Sequence, residues 1–374
     1  METISQLPHD IIANILSRLP VKCLLRSKCV CKPWRSLISD PQFAKLHLAE
    51  SQKDSNIDPH RILLSTNPLL SINLEAYHGT EDGSNAIILE LDYPEAITKD
   101  VEYEIDFAGS CNGLVCLVVD YKNFILWNPS TRESRPLPEP KHHLRDGSLS
   151  YGLGFDFSTD DYKLLSVARR HWSPASVSDK TTVEVFSMRT NVWRRIPDLK
   201  IDVELDGSGI FLKGSLHWLS SLTKIISFDL AEEKFQEVVP LPARMHENHY
   251  VATMGLGVWG DCLCLFIECG ETLYEGWLMR EHGVKSSWTR LFSAAVDPLP
   301  GFKYWQIGLC YTKTGKLVID YDGWRLVLYD PQEQRLEDLA IRNNWDWFHS
   351  IIYFESLVSP NLDDVSNREN HVQD

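Results

Sequence analysis

The chain has 374 residues, 52 acidic against 37 basic, giving a formal net charge of −15 with 43 % apolar side chains; this is a globular composition, and its acidity argues against a coat for nucleic-acid phosphates. No apolar run exceeds six residues (Leu114–Val119), well short of the ~20 of a helical membrane span, and the first stretch carries Glu2, His9, Asp10 and Arg18 instead of a basic-then-apolar leader. Nine cysteines in a long chain do not read as a secreted disulfide framework, so reduced thiols and a cytoplasmic or nuclear location are expected.

Charge and pattern divide the chain near residue 50. Residues 1–50 hold seven Lys/Arg and four Asp/Glu, a net of +3, which leaves 30 basic and 48 acidic residues, a net of −18, for the remainder. Ile11, Ile12, Ile15, Leu16 and Leu19 recur at three- and four-residue spacings, which predicts an amphipathic helix opened by Pro8 and stopped by Pro20. A second short helix is expected over 21–26 and a third over 30–38, with Pro41 opening a last turn. A module this small sits near the lower limit of independent stability. It needs a partner or the downstream chain to cover its apolar face.

These residues carry a resemblance. Leu7-Pro8-His9-Asp10-Ile11-Ile12, Ile15-Leu16-Ser17-Arg18-Leu19-Pro20, Leu24-Leu25-Arg26, Cys29-Val30-Cys31-Lys32-Pro33-Trp34-Arg35, Leu37-Ile38 and Asp40-Pro41-Gln42-Phe43 follow in the order of an F-box. The resemblance implies docking onto a Skp-type adaptor, and through it a cullin, of a Skp–cullin–F-box ubiquitin ligase. The residues it assigns to the adaptor are Leu7, Pro8, Ile11, Ile12, Ile15, Leu16, Leu19, Pro20, Leu24, Leu25, Val30, Cys31, Lys32, Trp34, Leu37 and Ile38. An apolar helical face suits helix-in-groove docking, and Arg26, Lys28, Lys32 and Arg35 can frame it for an acidic partner. The same spacing also builds a plain helical core, and some of these residues are expected to serve both ends. Cys23 stands where Ser is usual, giving up a helix N-cap, and Ser27 where Phe is usual; both are expected to weaken the adaptor contact modestly. Cys29 and Cys31 read as core.

Residues 49–60 read as a linker. From about residue 105 the helical period vanishes, and short apolar or alternating runs appear between Gly, Asn-Pro, Asp-Pro and Asp-Gly punctuation, the pattern of strands and hairpins. Five of these runs superpose one aromatic each: Trp127, Phe186, Phe228, Trp277 and Tyr329, at spacings of 59, 42, 49 and 52. Seven residues after three of them comes another large apolar side chain (Trp193, Phe235, Leu336), while Trp288 follows Trp277 by eleven. A four-stranded period near 50 residues is kelch-like. A sixth unit is expected from runs within residues 61–91 completed by a strand from 350–358, so that pairing of the two ends removes exposed edges.

The whole stretch 61–360 resembles the plant F-box-associated interaction domain of S-locus and constitutive-defence-type F-box/kelch proteins. That likeness rests on Gly109-Ser110-Cys111-Asn112-Gly113-Leu114, Trp127-Asn128-Pro129-Ser130-Thr131, Gly152-Leu153-Gly154-Phe155-Asp156 and Asp160-Asp161-Tyr162-Lys163. The expected class is therefore α+β and multidomain. A small all-α F-box over 1–48 precedes an all-β kelch-like propeller of six blades, with seven as the alternative, and residues 361–374 form a disordered polar tail.

Such a meander puts the first-to-second and third-to-fourth turns on one face and the longer connections on the other, and long loops on a rigid scaffold are where recognition sits. Arg169, Arg170, His171 and Trp172, with His246, His249 and Tyr250 on a neighbouring loop, combine cations with aromatics and are the target-binding candidates. Gly255-Leu256-Gly257-Val258-Trp259-Gly260 matches G-x-G-x-x-G, but a strand is expected after it, so it reads as a turn and not a pyrophosphate cradle. His246-x-x-His249 with Cys262-x-Cys264 imitates a zinc site, yet alternate strand residues share a face without a metal. No cofactor, metal or catalytic residue is assigned. The expected function is a non-catalytic receptor that holds an unknown target protein for ubiquitination. A non-degradative decoy and a propeller enzyme with a metal site are the alternatives.

Overall fold

The computed structural model describes residues 8–53, 60–73, 87–97, 104–140, 147–170, 181–196, 205, 207–220, 224–242, 251–269, 273–295, 306–312, 315–321, 323, 325–339 and 349–361. The N-terminal module is four helices: α1 (His9–Leu16), α2 (Val21–Ser27), α3 (Lys32–Ile38) and α4 (Pro41–Lys53). Pro8 and Pro20 cap α1 and α2 from extended backbone. α1 stops a turn before its apolar spacing does, because the Leu19 N–H bonds the Leu16 carbonyl and residues 17–19 turn the chain. Asp40 opens α4, its carboxylate accepting the Gln42 N–H at 2.7 Å, with Pro41 at the first helical position. Where a single turn was expected, α4 runs thirteen residues and enters the stretch read as linker, held by its buried Phe43, Ala44 and His47.

Three cysteine expectations change. α2 begins at Val21, so Cys23 lies inside the helix and is not its N-cap. Cys29 and Cys31 are exposed, not core. Residues 28–30 form the turn between α2 and α3, and Cys31 is the extended N-cap of α3, which leaves both outside the cluster built by Leu24 and Ile38.

The β region follows as sets of four antiparallel strands. β1 (His60–Leu64), β2 (Leu69–Asn73) and β3 (Ile87–Leu91) begin it. β4 (Ile105–Cys111), β5 (Leu114–Val119), β6 (Asn123–Trp127) and β7 (Ser134–Pro136) form the next sheet, in that order. β8 (Gly147–Asp156), β9 (Asp161–Arg170), β10 (Thr181–Ser187) and β11 (Val192–Ile196) are joined into one eight-stranded sheet with β12 (Ser208–Leu212), β13 (Ser215–Ser220), β14 (Lys224–Asp229) and β15 (Lys234–Pro240). β16 (Val251–Trp259), β17 (Cys262–Cys269), β18 (Leu273–Met279) and β19 (Trp288–Ala295) make another, as do β20 (Gln306–Tyr311), β21 (Leu317–Tyr321), β22 (Arg325–Asp330) and β23 (Arg335–Leu339). β24 (Ser350–Phe354) returns to pair with β1, Leu64 opposite Ser350 and His60 opposite Phe354, so the sequence order 24-1-2-3 completes the first set. Residues 355–358, read as strand, leave the sheet.

The seven-residue interval has a direct cause. Phe186 stands opposite Trp193, Phe228 opposite Phe235 and Tyr329 opposite Leu336 across the third and fourth strands. In the intervening turns Arg132, Asn191, Glu233 and Gln334 take left-handed backbone. The preceding side chain caps the turn: Asn128 Oδ1 accepts from Ser130 and Thr131, Asp229 Oδ1 from Ala231 and Glu232, Asp330 Oδ1 from Gln332 and Glu333. Between β18 and β19 a longer turn containing a 3-10 stretch replaces this device, so Trp277 faces Arg290 and Trp288 faces Met279.

The core lies between the sets, not on one side of them. β5 is buried at every position: Leu114, Cys116 and Val118 join the cluster shared with β8–β11, while Val115, Leu117 and Val119 join the cluster shared with β1–β3. A strand covered on both faces reads as a continuous apolar run, which is what the sequence has there. Further clusters join β8–β11 to β12–β15, β12–β15 to β16–β19, β16–β19 to β20–β23, and β20–β23 back to β1 and β2. β8 and β12 pair in parallel at Tyr151–Ser208 and Gly152–Gly209. Glycine is required there: a Cβ on Gly209 would sit 2.3 Å from the Trp218 ring.

Candidate partner-binding surfaces

The helical module builds a core from Leu16, Val21, Leu24, Ile38, Phe43 and Ala44, with Ile12, Leu19, Leu25, Trp34 and Leu37 packed around it. Of the residues assigned to an adaptor, then, Leu16, Leu24 and Ile38 are interior, and Ile12, Leu19, Leu25, Trp34 and Leu37 are half-buried. Pro8, Ile11, Ile15, Pro20, Val30, Cys31 and Lys32 are exposed, and Leu7 lies outside the described residues. Ile11 at 46 %, Ile15 at 52 % and Val30 at 66 % exposure are large apolar side chains facing solvent. Ile11 and Ile15, one turn apart, mark the outer side of α1 opposite buried Leu16. His47, buried in α4, donates from Nε2 to the Leu19 carbonyl at 2.9 Å, and burial holds its pKa below the usual value despite that bond.

A part of this core comes from the far end of the sequence. Leu357 is buried among the helices, and its neighbour Val358 among the residues between β4–β7 and β8–β11. The segment is fastened by hydrogen bonds. Buried Asn128 donates from Nδ2 to the carbonyls of Ser356 and Val358, and the Ser356 hydroxyl donates to the Asn112 carbonyl at 2.8 Å. Gly113, with φ +89°, allows the approach, since a Cβ there would meet Ser356 Oγ at 2.1 Å. Lys45 of α4 forms an ion pair with Asp160 in the β8–β9 turn, and the Glu133 carboxylate acts on Lys28. The helices therefore sit at the end of the sheets where the first-to-second and third-to-fourth turns lie.

β9 runs from the Asp160 turn to the opposite end of its sheet. Arg169 is half-buried near the end of β9 and Arg170 ends the strand; His171, Trp172, His246, His249 and Tyr250 lie outside the described residues. Arg169 and Arg170, at the far end of β9 from the Asp160 turn, therefore lie away from the helices.

Other chemistry finds little support. The G-x-G-x-x-G stretch is the end of β16 and its tight turn into β17, with no helix to present amides to a phosphate. Cys264 is buried, which pushes its thiol up to about 12, and Cys262 is half-buried. Among the described residues no group of three or more His, Cys, Asp or Glu could hold a metal. His217 and His282 meet through their Nε2 atoms at 2.8 Å between β13 and the β18–β19 turn. Lys163 is another polar junction, bonded to Asp156, Glu233 and the Leu230 carbonyl. Burial opposes the Asp156 charge, but Lys163 and the hydroxyls of Ser158 and Thr159 hold its carboxyl far below the usual range.

No local pattern marks Leu357, Ser356 or Asn128 as a joint. The likenesses at Gly109–Leu114 and Trp127–Thr131 touch it, but they mark the turns and not their partner.

A small helical module with exposed apolar side chains, seated on one end of stacked four-stranded sets, defines a two-part interaction scaffold. The chain belongs to the F-box proteins that carry an F-box associated β propeller domain, matching the F-box over residues 4–46 and the associated domain over 61–360. It is similar to the F-box protein CPR1 of Arabidopsis thaliana, 29 % identical over 96 % of this chain and 91 % of that one. The F-box/kelch-repeat protein At3g23880 of the same plant is 30 % identical, over 95 % and 96 %. By family the chain is of the Skp–cullin–F-box substrate-receptor type, and its F-box implies a Skp-type adaptor as partner. An oligogalacturonate lyase solved with manganese overlaps 73 % of this chain and 81 % of its own at 12 % identity and a TM-score of 0.39, a likeness too slight to carry an argument. No helix among the described residues is long and apolar enough to cross a membrane.

Proposed function

We propose that this protein is the substrate-recognition subunit of a Skp–cullin–F-box ubiquitin ligase, itself non-catalytic, acting in the cytoplasm or nucleus. Its F-box docks the adaptor through a module that α4 extends to Lys53, a six-bladed propeller (61–360) holds the target, and a polar tail follows at 361–374. Tethering raises the concentration of target lysines at the transfer site, which is how a subunit without catalytic groups accelerates modification. The observation that carries this is the outer side of α1: Ile11 and Ile15 stand half-exposed on a helix whose inner side is already satisfied by Leu16. Apolar side chains in that position support a helix-in-groove partner. Target contacts fall to the end of β9, with Arg169 and Arg170, and to the long connections that carry His171, Trp172, His246, His249 and Tyr250.

The test uses the full chain and a purified Skp-type adaptor. Ile11→Asp with Ile15→Asp should abolish the complex and leave thermal unfolding where it was, whereas Leu24→Asp should unfold the module. Undiminished binding by the double variant would end the adaptor assignment. Target half-life with and without residues 1–53 separates a degradative receptor from a decoy, which would leave the half-life unchanged.

A further inference from the structure

Of the eight cysteines whose side chains are described, four are buried (Cys111, Cys116, Cys264, Cys269), Cys262 is half-buried, and the only three exposed are Cys23, Cys29 and Cys31. These three fall within nine residues of the F-box. The stretch around them is unusual in charge: between Asp10 and Asp40 there is no acidic residue, but Arg18, Lys22, Arg26, Lys28, Lys32 and Arg35 are all present. Burial lowers the Lys28 pKa, the Glu133 carboxylate opposes that, and the Arg35 guanidinium across the α2–α3 turn lowers it further. Cys29 and Cys31 flank Val30, a large apolar residue 66 % exposed, at the centre of this patch. Accessible thiols in a cationic setting favour reaction with anionic reagents, while thiols buried in apolar surroundings are inert.

We propose that Cys29 and Cys31 form a thiol-modification site for an anionic low-molecular-weight disulfide of the glutathione class, and that the adduct and the adaptor exclude each other from this face. A cysteine thiolate attacks one sulfur of the disulfide. The old S–S bond breaks as the mixed disulfide forms, and the second glutathione leaves as a thiolate that takes up the proton the cysteine gave up. The cysteine is oxidised, half of the disulfide is reduced, and excess thiol reverses the exchange. The adduct places two carboxylates and a peptide where Val30, Cys31 and Lys32 would meet the adaptor. Exclusion rests on the adaptor docking proposed above; the reactivity of the thiols does not.

Full-length protein is treated with oxidised glutathione, mapped by mass spectrometry, and titrated with purified adaptor. Mixed disulfides should map to Cys29 and Cys31 and spare Cys111, Cys116 and Cys264. Adaptor affinity should fall about tenfold or more and return with dithiothreitol. Adaptor bound beforehand should protect both thiols, and in Cys29→Ser/Cys31→Ser the affinity, whatever its level, should no longer respond to oxidised glutathione. Adducts confined to Cys23 or Cys262, or none, in a protein that binds the adaptor would overturn the modification site. Thiolated protein that binds as well as the reduced form would overturn the exclusion. If the reduced protein binds no adaptor while Cys29 and Cys31 are thiolated, the docking assignment falls instead and the thiol site stands.

Discussion

Asn128 Nδ2 lies 2.7 Å from the Val358 carbonyl oxygen, tying the β6–β7 turn to a residue 230 positions later. The same amide donates to Ser356 at 3.1 Å while its oxygen caps the turn, so one fully buried side chain serves both the sheet and the returning segment. Asn128→Ala would strand two carbonyls and two turn amides, and should lower stability by roughly 3 kcal/mol. Asn128→Asp keeps the shape and the turn cap but removes the donors, so it should be almost as damaging in thermal unfolding. An Asp variant as stable as wild type would exclude the role given to Nδ2.

Leu357 is the matching apolar contact. Leu357→Ala should destabilise by roughly 2–4 kcal/mol through lost burial and a cavity. The loss should appear first in the helices: hydrogen exchange over α2 and α3 should rise while β5 and β10 stay protected. Leu357→Met, similar in volume, should be tolerated.

Gly209→Ala tests the parallel contact of β8 and β12. Its cost is steric, since the new methyl would overlap the indole of Trp218, itself buried and bonded through Nε1 to the Tyr151 carbonyl. A loss of roughly 1–3 kcal/mol is expected. Trp218→Leu in the same chain should recover part of it, and no recovery would argue that the strain lies elsewhere.

His217 gives a pH signature. Burial, then the neighbouring His282, lowers its pKa from 6.5 to about 4. The folded state therefore binds fewer protons than the unfolded chain between those values, so stability is full above about pH 6.5 and falls as the pH drops towards 4. For this one side chain the loss by pH 5 is about 2 kcal/mol. His217→Phe should flatten the decline of Tm between pH 7 and 5, and an unchanged slope would remove His217 from the acid response.

Lys163→Met would leave Asp156 buried without its cation, while half-buried Glu233 keeps Arg194. Breaking such a network from one side costs about 3–5 kcal/mol. Reverting part of the excess charge with Asp156→Asn in the same chain should restore some of it, and chemical denaturation of the single and double variants measures the coupling.

Much of this architecture is readable from spacing alone. The interval from Phe186 to Trp193 is a strand pair seen along the chain, and the α1 residues declare a one-sided helix. The runs at 61–64 and 350–354 were expected to meet and do. Other features leave no local trace. Leu357 is one leucine in an unremarkable segment, and its burial depends on contacts more than three hundred residues away. Cys29 and Cys31 resembled core because apolar neighbours surround them in sequence, yet turn geometry decides exposure. Gly209 and Gly152 look like ordinary strand glycines until two strands from different hairpins are brought together. The target candidates Trp172, His246, His249 and Tyr250 come from stretches whose sequences carry cations and aromatics but no period, and they lie outside the described residues.

The strand that pairs with β1 and the leucine that fills the helical core both follow every other described element in the chain. Synthesis proceeds from the N-terminus, so the helices emerge first and wait for Leu357 before their interior is complete. A product interrupted before residue 350 would lack both β24 and that leucine, leaving β1 an open edge and the helices underpacked. The helical module thus completes its interior only when the described strands have been made, a built-in check against truncated chains presenting a finished module.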